Sequence, residues 1–324
     1  MRRFAAAALA AHAVQPTALE LLGYAENVTF RVDTVAGDRF LLRIHRTTGS
    51  PFHPVRTVTE VESEMAWLLS LRRDVGPCVP EPVPNHEGSF VTVAEVSGHG
   101  EPRICVLFRW VAGRFRNIGL TPSNLAAVGG LMARLHDQAA GFSPLHEFRR
   151  WRLCDVAPDE SAHAIDTVLD ECGPDDAALV ATVLDRVRHA VLALDEAPDT
   201  FGMIHGDLHQ HNYLFHQGQV SAIDFDDCGW GHFLYDIAVT LSEVSLRPDA
   251  RALRDGFLEG YGRVRPLPAG LDEHLPAFLA LRELRLTMWV LEQRDDPGFK
   301  YWETEVRDGL LYLRDLLRRI DRGA

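Results

Sequence analysis

Hydrophobic spacing divides the chain into an early region of short alternating runs and a longer region of helical stripes. Residues 27–35 and 39–44 are rich in Val, Phe, Leu and Ile and flank Ala36-Gly37-Asp38, so they are expected to pair as a hairpin of strands. From 59 to 73 the period changes: Val61, Met65 and Leu68 recur at helical spacing, which predicts a helix ending before Gly76-Pro77. Residues 89–96 and 103–111 read as two further strands, and Ala112-Gly113 as a linker. Beyond it, Thr121-Pro122 is a helix start, with proline at the first helical position and Leu125, Val128, Met132 and Leu135 behind it. A second long helix is expected over 175–194, striped by Val180, Leu184, Val187, Val191 and Leu194. The division predicts an α+β region over 1–111 and a mainly helical region over 112–324.

Composition narrows the choices. The 324 residues are 46% hydrophobic and 24% charged, enough for two packed cores. No run approaches the roughly 20 apolar residues of a membrane-spanning helix, so no membrane role is expected. Met1-Arg2-Arg3-Phe4 and the alanines after it look like a weak signal peptide, but His12 and the patterned segment that follows make an ordinary first helix the better reading. Five cysteines at unrelated spacings fit a reducing, cytoplasmic setting. A net charge of -13 argues against nucleic acid or anionic membrane partners and tolerates a cationic substrate. Only one basic residue is a lysine, Lys300.

The chemistry is concentrated in 203–226. His205-Gly206-Asp207-Leu208-His209-Gln210-His211-Asn212 reads as a loop, 213–222 as a tight hairpin turning at 216–219, and Ile223-Asp224-Phe225-Asp226 as a second loop. Phosphoryl transfer needs a carboxylate to orient and deprotonate a hydroxyl, and oxygens to hold magnesium. Asp207 and Asn212, five residues apart on one loop, can face a common centre, and the hairpin returns Asp224 beside them.

This segment resembles the catalytic end of the aminoglycoside phosphotransferase and choline kinase family, which carries His-Gly-Asp, Asn five residues later, and a downstream Ile-Asp-Phe. The resemblance implies a two-lobed protein-kinase-like fold: a small N-terminal antiparallel sheet with one helix, and a large helical C-terminal lobe. It implies ATP and Mg2+ as cofactors, Asp207 as base, and Asn212 and Asp224 as magnesium ligands, with His205 and Gly206 structural and Asp236 supporting the loop from the next helix. About ten residues separate Asp224 from that helix, which points to the small-molecule branch. Tyr24-Ala25-Glu26-Asn27, Leu42-Arg43-Ile44-His45-Arg46 and a late helical stretch over 282–302 resemble bacterial stress-response and homoserine-kinase-type members.

Two departures stand out. Gly23 precedes no Gly-x-Gly-x-x-Gly, so the phosphates would be covered by backbone around Glu26, Asn27 and Val28. Arg43 occupies the strand position of the usual phosphate-pairing lysine; it keeps the charge with a planar, bidentate head. Its expected partner is Glu64, with Glu60 and Glu62 as alternatives. Adenine is expected along Phe108 to Val111, with Phe108 and Trp110 contributing to nucleotide binding. Asp226 and Asp227 are either helpers for a second metal or turn residues. Asp255, Glu259, Glu283, Glu292, Asp295 and Asp296 either favour an amine-bearing alcohol such as an aminoglycoside, choline or homoserine, or are surface charges. Remaining alternatives are a protein Ser/Thr kinase, a nucleotide-binding pseudokinase, and a metal hydrolase built on His205, His209 and His211 with Asp207 and Asp224.

Overall fold

The computed structural model describes the chain except residues 25–26, 51–53, 117, 145–146, 296–298 and 324. Ala25, Glu26 and Asp296, named above, lie outside the described residues.

Strands β1 (Pro16–Tyr24), β2 (Val28–Thr34), β3 (Arg39–Ile44), β4 (Thr92–Ala94) and β5 (Arg103–Arg109) form one antiparallel sheet in the order β1-β2-β3-β5-β4. The expected hairpin is β2–β3, turning at Gly37 with φ 84°. Strand alternation then sorts the side chains. Phe30, Phe40, Leu42, Ile44 and Leu107 pack with Phe4, Ala8 and Leu9 of helix α1 (Arg2–Ala10) in a small core. Leu41, Arg43, Val106 and Phe108 take the other face, toward the cleft. Because β3 lies between β2 and β5, Arg43 is inside the sheet and only 3% of its side chain is exposed.

Helix α2 (Val58–Asp74) begins at Thr57, whose hydroxyl accepts from Glu60 N–H while the Glu60 carboxylate accepts from Thr57 N–H. Reciprocal capping of this kind satisfies two orphan donors. Val61, Met65, Trp67 and Leu68 of α2 join the larger core, which runs on through the rest of the chain. That part contains α3 (Pro122–Ala140), α4 (Pro158–Cys172), α5 (Pro174–Leu192), the pair β6 (Phe201–Ile204) with β9 (Gly229–His232), the hairpin β7 (Tyr213–His216) with β8 (Gln219–Ala222), α6 (Phe233–Ser242), α7 (Ala250–Gly262), α8 (Leu271–Glu292) and α9 (Trp302–Gly323). Helices α3 and α7 touch backbone to backbone: a Cβ at Gly260 would lie 1.9 Å from Ala126 O, and one at Gly129 2.1 Å from Phe257 O.

Three elements differ from the expectation. The segment 89–96 keeps strand pairing only over Thr92–Ala94, because Asn85 Oδ1 accepts from the N–H of Glu87 and Ser89 and folds the preceding residues into a turn. The late stretch over 282–302 is not one helix: α8 ends at Glu292 and α9 starts at Trp302. Strand β1 was not anticipated; it is an exposed edge with two register shifts and no clean alternation. No described helix is long and apolar enough to cross a membrane.

Candidate active site

The segment 205–212 leaves β6 and is pinned from α6. Asp236, fully buried, accepts from His205 N–H at 2.9 Å and Gly206 N–H at 2.7 Å, and faces His136 Nε2 at 3.1 Å. Gly206 has φ 83°, and a Cβ there would meet Asp227 O at 2.5 Å, so only glycine fits the bend. His205 receives Asp207 N–H at Nδ1 (3.3 Å) and lies 3.0 Å from Ile223 O at Nε2, which assigns the proton to Nε2. With both nitrogens engaged, His205 has none left for a metal. Burial lowers its pKa, so it stays neutral.

Asp207 stands at the turn of this loop. Asn212 Nδ2 donates to Asp207 Oδ2 at 2.8 Å and to Asp207 O at 2.8 Å, which leaves the Asn212 amide oxygen for another partner. The β7–β8 hairpin turns through Gln217 (φ 47°) and Gly218 (φ 80°), a two-residue loop with both residues left-handed. It returns the chain so that Ile223 N–H donates to Asn212 O at 2.9 Å. Asp224 follows, itself left-handed at φ 62°, a conformation that Asp tolerates better than most residues. The low-dielectric walls, opposed by Arg43, and then the carboxylates of Asp226, Asp227 and Asp207 push the Asp224 carboxyl up to about 7. Its side chain is 54% exposed, so solvent screening trims that shift. Asp207 moves the opposite way: its burial would raise it, but the Arg282 guanidinium and His209 hold it well below the usual carboxylate range.

Asp207, Asn212 and Asp224 line one cavity of about 830 Å³. A second, mostly apolar cavity of about 380 Å³ continues from it under the sheet, lined by Arg43, Glu64, Phe108, Trp110, Asn212 and Asp224 among others. Here Arg43 Nη2 contacts both Glu64 oxygens at 2.7 and 2.6 Å, Nη1 lies 3.5 Å from Asp224, and the guanidinium covers the Phe108 ring. Glu60 is occupied by the α2 cap and Glu62 is exposed. Asn27 Nδ2 donates to Asp226 Oδ2 at 2.9 Å, tying the strand β2 entrance to the loop after β8. The other Asp226 oxygen faces His45 at 3.5 Å and Arg56 at 3.8 Å, while Asp227 pairs with Arg56 at 2.7 Å. Asp226 Oδ2 is therefore taken by an amide, while Oδ1 is buried beside these groups without a hydrogen bond.

Hard oxygen donors suit a divalent cation such as Mg2+. Asn212 and Asp224 offer them, and the crowding that raises Asp224 is relieved by a cation there. Among the described residues no three His, Cys, Asp or Glu side chains form a metal-holding group, so the histidines of this loop do not build a zinc-like site.

The outer wall of the larger cavity contains groups that sequence reasoning missed: Trp151, Glu243, Arg282, Arg285, Trp289 and Glu305. Arg282 Nη1 lies 2.9 Å from Asp207 Oδ1. Spacings of three and four along α8 put 282, 285 and 289 on one face, the only signal the sequence held for them. The acidic candidates are elsewhere: Asp255 and Glu259 are exposed on α7 beside arginines, and Glu292 faces His163. Neither they nor Glu283 and Asp295 line this cavity.

Known proteins share this architecture. A solved microcompartment-associated aminopropanol kinase superposes with a TM-score of 0.81 at 26% identity, covering 99% of this chain and 97% of its own. An amicoumacin kinase in complex with AMP-PNP and Ca2+ gives a TM-score of 0.78 at 23% identity, covering 98% and 93%, a likeness of fold. In sequence, a homoserine kinase of Gluconobacter oxydans is 31% identical over 315 residues, 90% of this chain and 86% of that protein. The fold is the two-lobed kinase-like one, and the phosphotransferase enzyme family (APH) matches residues 17–274: the chain belongs to it.

Proposed function

We propose that this protein moves the γ-phosphoryl group of ATP to a hydroxyl of a small amine-bearing alcohol in the cytoplasm, with residues 1–111 as nucleotide lobe and 112–324 as acceptor lobe. The observation that carries the reading is the meeting of Asp207, Asn212 and Asp224 on one cavity wall, beside an apolar slot closed by the Arg43–Glu64 pair.

Asp207 takes the proton of the attacking hydroxyl, its oxygens oriented by Asn212 and Arg282. Asn212 and Asp224 would hold Mg2+, which neutralises phosphate charge when bound. Asp226 ties Asn27 to the loop after β8 through one oxygen, and its other oxygen is the weaker candidate for the metal. Arg43, anchored on Glu64, offers its remaining guanidinium edge to phosphate. Along the strand leading to the linker, Arg109 N–H and Trp110 N–H already donate to Glu81 O and Arg39 O, so Val111 N–H is the backbone donor left for an adenine edge. Phe108 and Trp110 flank that position. Glu243 and Glu305 on the acceptor wall, whose side chains have no hydrogen bond or ion pair among the described residues, favour an ammonium group over an anionic acceptor. The relatives that act on aminopropanol, amicoumacin and homoserine support this class. Five unpaired cysteines suit a reducing compartment.

The test is an ATP-consumption screen with Mg2+ across aminopropanol, homoserine, aminoglycosides, sugars and serine-rich peptides, with Asp207→Asn as blank. The expected result is turnover with an amino alcohol, and a fall in kcat of about a hundred- to ten-thousand-fold in Asp207→Asn with nucleotide still bound. Phosphate appearing only on peptide would replace the acceptor class, and ATP bound without transfer to any acceptor would leave a binding protein.

A further inference from the structure

The cation on the catalytic-loop aspartate comes from a distant helix. Arg282, at the middle of α8, is largely buried, with 13% of its side chain exposed, and its Nη1 lies 2.9 Å from Asp207 Oδ1. Asp207 Oδ2 is occupied by Asn212 Nδ2 at 2.8 Å, with His209 Nε2 at 3.4 Å on the same oxygen. The carboxylate is therefore gripped at both ends, by its own loop on one side and by the acceptor wall on the other. The same α8 face carries Arg285 and Trp289 into the cavity. Arg282 Nε is buried and makes no hydrogen bond, so the residue is placed there by its contact with Asp207 and not by a network of its own.

From this we infer that Arg282 is a positioning residue for Asp207, one that couples the seating of the acceptor on α8 to the aim of the base. The inference rests on the reading of Asp207 as base. Asn212 and His209 hold only Oδ2 and leave Oδ1 free to swing about those contacts; Arg282 removes that freedom and presents Oδ1 in one plane toward the acceptor. An acceptor that shifts α8 moves Arg282 and the base with it, and one that leaves α8 in place meets a base already aimed. The nucleotide side is untouched, because Arg282 lines only the outer cavity and not the slot beneath the sheet.

The experiment compares wild type, Arg282→Gln, Arg282→Lys, Asp207→Asn and the double variant Asp207→Asn/Arg282→Gln. Each is assayed for transfer to aminopropanol and, independently of any acceptor, for hydrolysis of Mg·ATP by water. Arg282→Gln is expected to lower kcat for both on the order of ten- to a hundredfold, the scale of losing orientation at a reacting group, with KM for ATP within about twofold. Arg282→Lys is expected to recover part of the rate, as is guanidinium ion added to an Arg282→Ala protein that melts as wild type does. In the Asp207→Asn background, the Gln substitution at 282 should change nothing further, since there is no base left to aim. A kcat near the wild-type value in Arg282→Gln, a loss carried by KM for ATP, a loss that neither Lys nor guanidinium restores, or an equal loss in the Asp207→Asn background each overturns the inference. An unaffected Asp207→Asn protein, or a wild type without turnover of either kind, instead removes the base assignment, and the inference falls with it.

Discussion

Replacing Glu64 by Gln tests the ion pair beneath the slot proposed for the nucleotide. In the native protein Arg43 and Glu64 are 3% and 0% exposed, and one guanidinium nitrogen contacts both carboxylate oxygens at 2.7 and 2.6 Å. Removing one partner of such a buried pair leaves an uncompensated charge and costs roughly 3–5 kcal/mol. Two features pull the expected value to the low end. The Gln amide oxygen can still accept one bond, and Arg43 keeps Asp224 at 3.5 Å, with Asp226 adding negative charge nearby. A loss of about 3 kcal/mol in urea unfolding is therefore expected. The released guanidinium then has no fixed direction, and affinity for a fluorescent ATP analogue should weaken about tenfold, equivalent to about 1.4 kcal/mol. Stability within about 1 kcal/mol of wild type would refute the argument, because it would mean that the pair contributes no more than a surface ion pair.

Three further outcomes are expected. Asp236→Asn turns an amide N–H toward the His205 or Gly206 N–H, losing a charge-assisted bond of about 1.5–3 kcal/mol and adding a donor clash; denaturant melts should show about 3 kcal/mol lost together with most of kcat. Gly260→Ala should destabilise by about 2 kcal/mol, since overpacking against Ala126 backbone at about 3 kcal/mol outweighs about 1 kcal/mol of helix propensity; an unchanged melting temperature would show that α3 and α7 can part without cost. Burial lowers the pKa of His12, His45, His136, His205 and His232, so their contribution is whole above the unfolded value near 6.5 and is lost as pH falls below it. Glu283 and Asp224, both raised to about 7, oppose this as they gain protons, Asp224 less because it is half open to water. Glu64, raised by burial, and His209, which Asp207 raises against its own burial, oppose it too, so five lowered groups against four raised ones leave a small net loss of stability as pH falls below 6.5. A melting temperature that holds or rises from pH 7 to 5.5 would contradict the balance.

Local chemistry made much of this legible in advance. Turn residues fixed the β2–β3 and β7–β8 hairpins, and helical spacing fixed α2, α3 and α5, because each depends on neighbours within a few positions. The three oxygen-bearing residues of the cleft were legible for the same reason: one loop and one tight hairpin contain them all. Arg282 was not legible, since nothing local says that α8 passes over a loop some seventy-five residues earlier. Glu243 and Glu305 were missed likewise, whereas the acidic residues that drew notice on α7 face water. Strand β1 escaped because an edge with both faces exposed carries no alternation to read.

Arg43 also decides how this cleft answers to covalent chemistry. Reagents that acylate the amine beside a kinase's bound phosphates need a neutral nitrogen nucleophile, and a guanidinium stays protonated and inert at every working pH. The only lysine, Lys300, is exposed and lines neither cavity, so such labels should pass this protein by even while the nucleotide that carries them is bound.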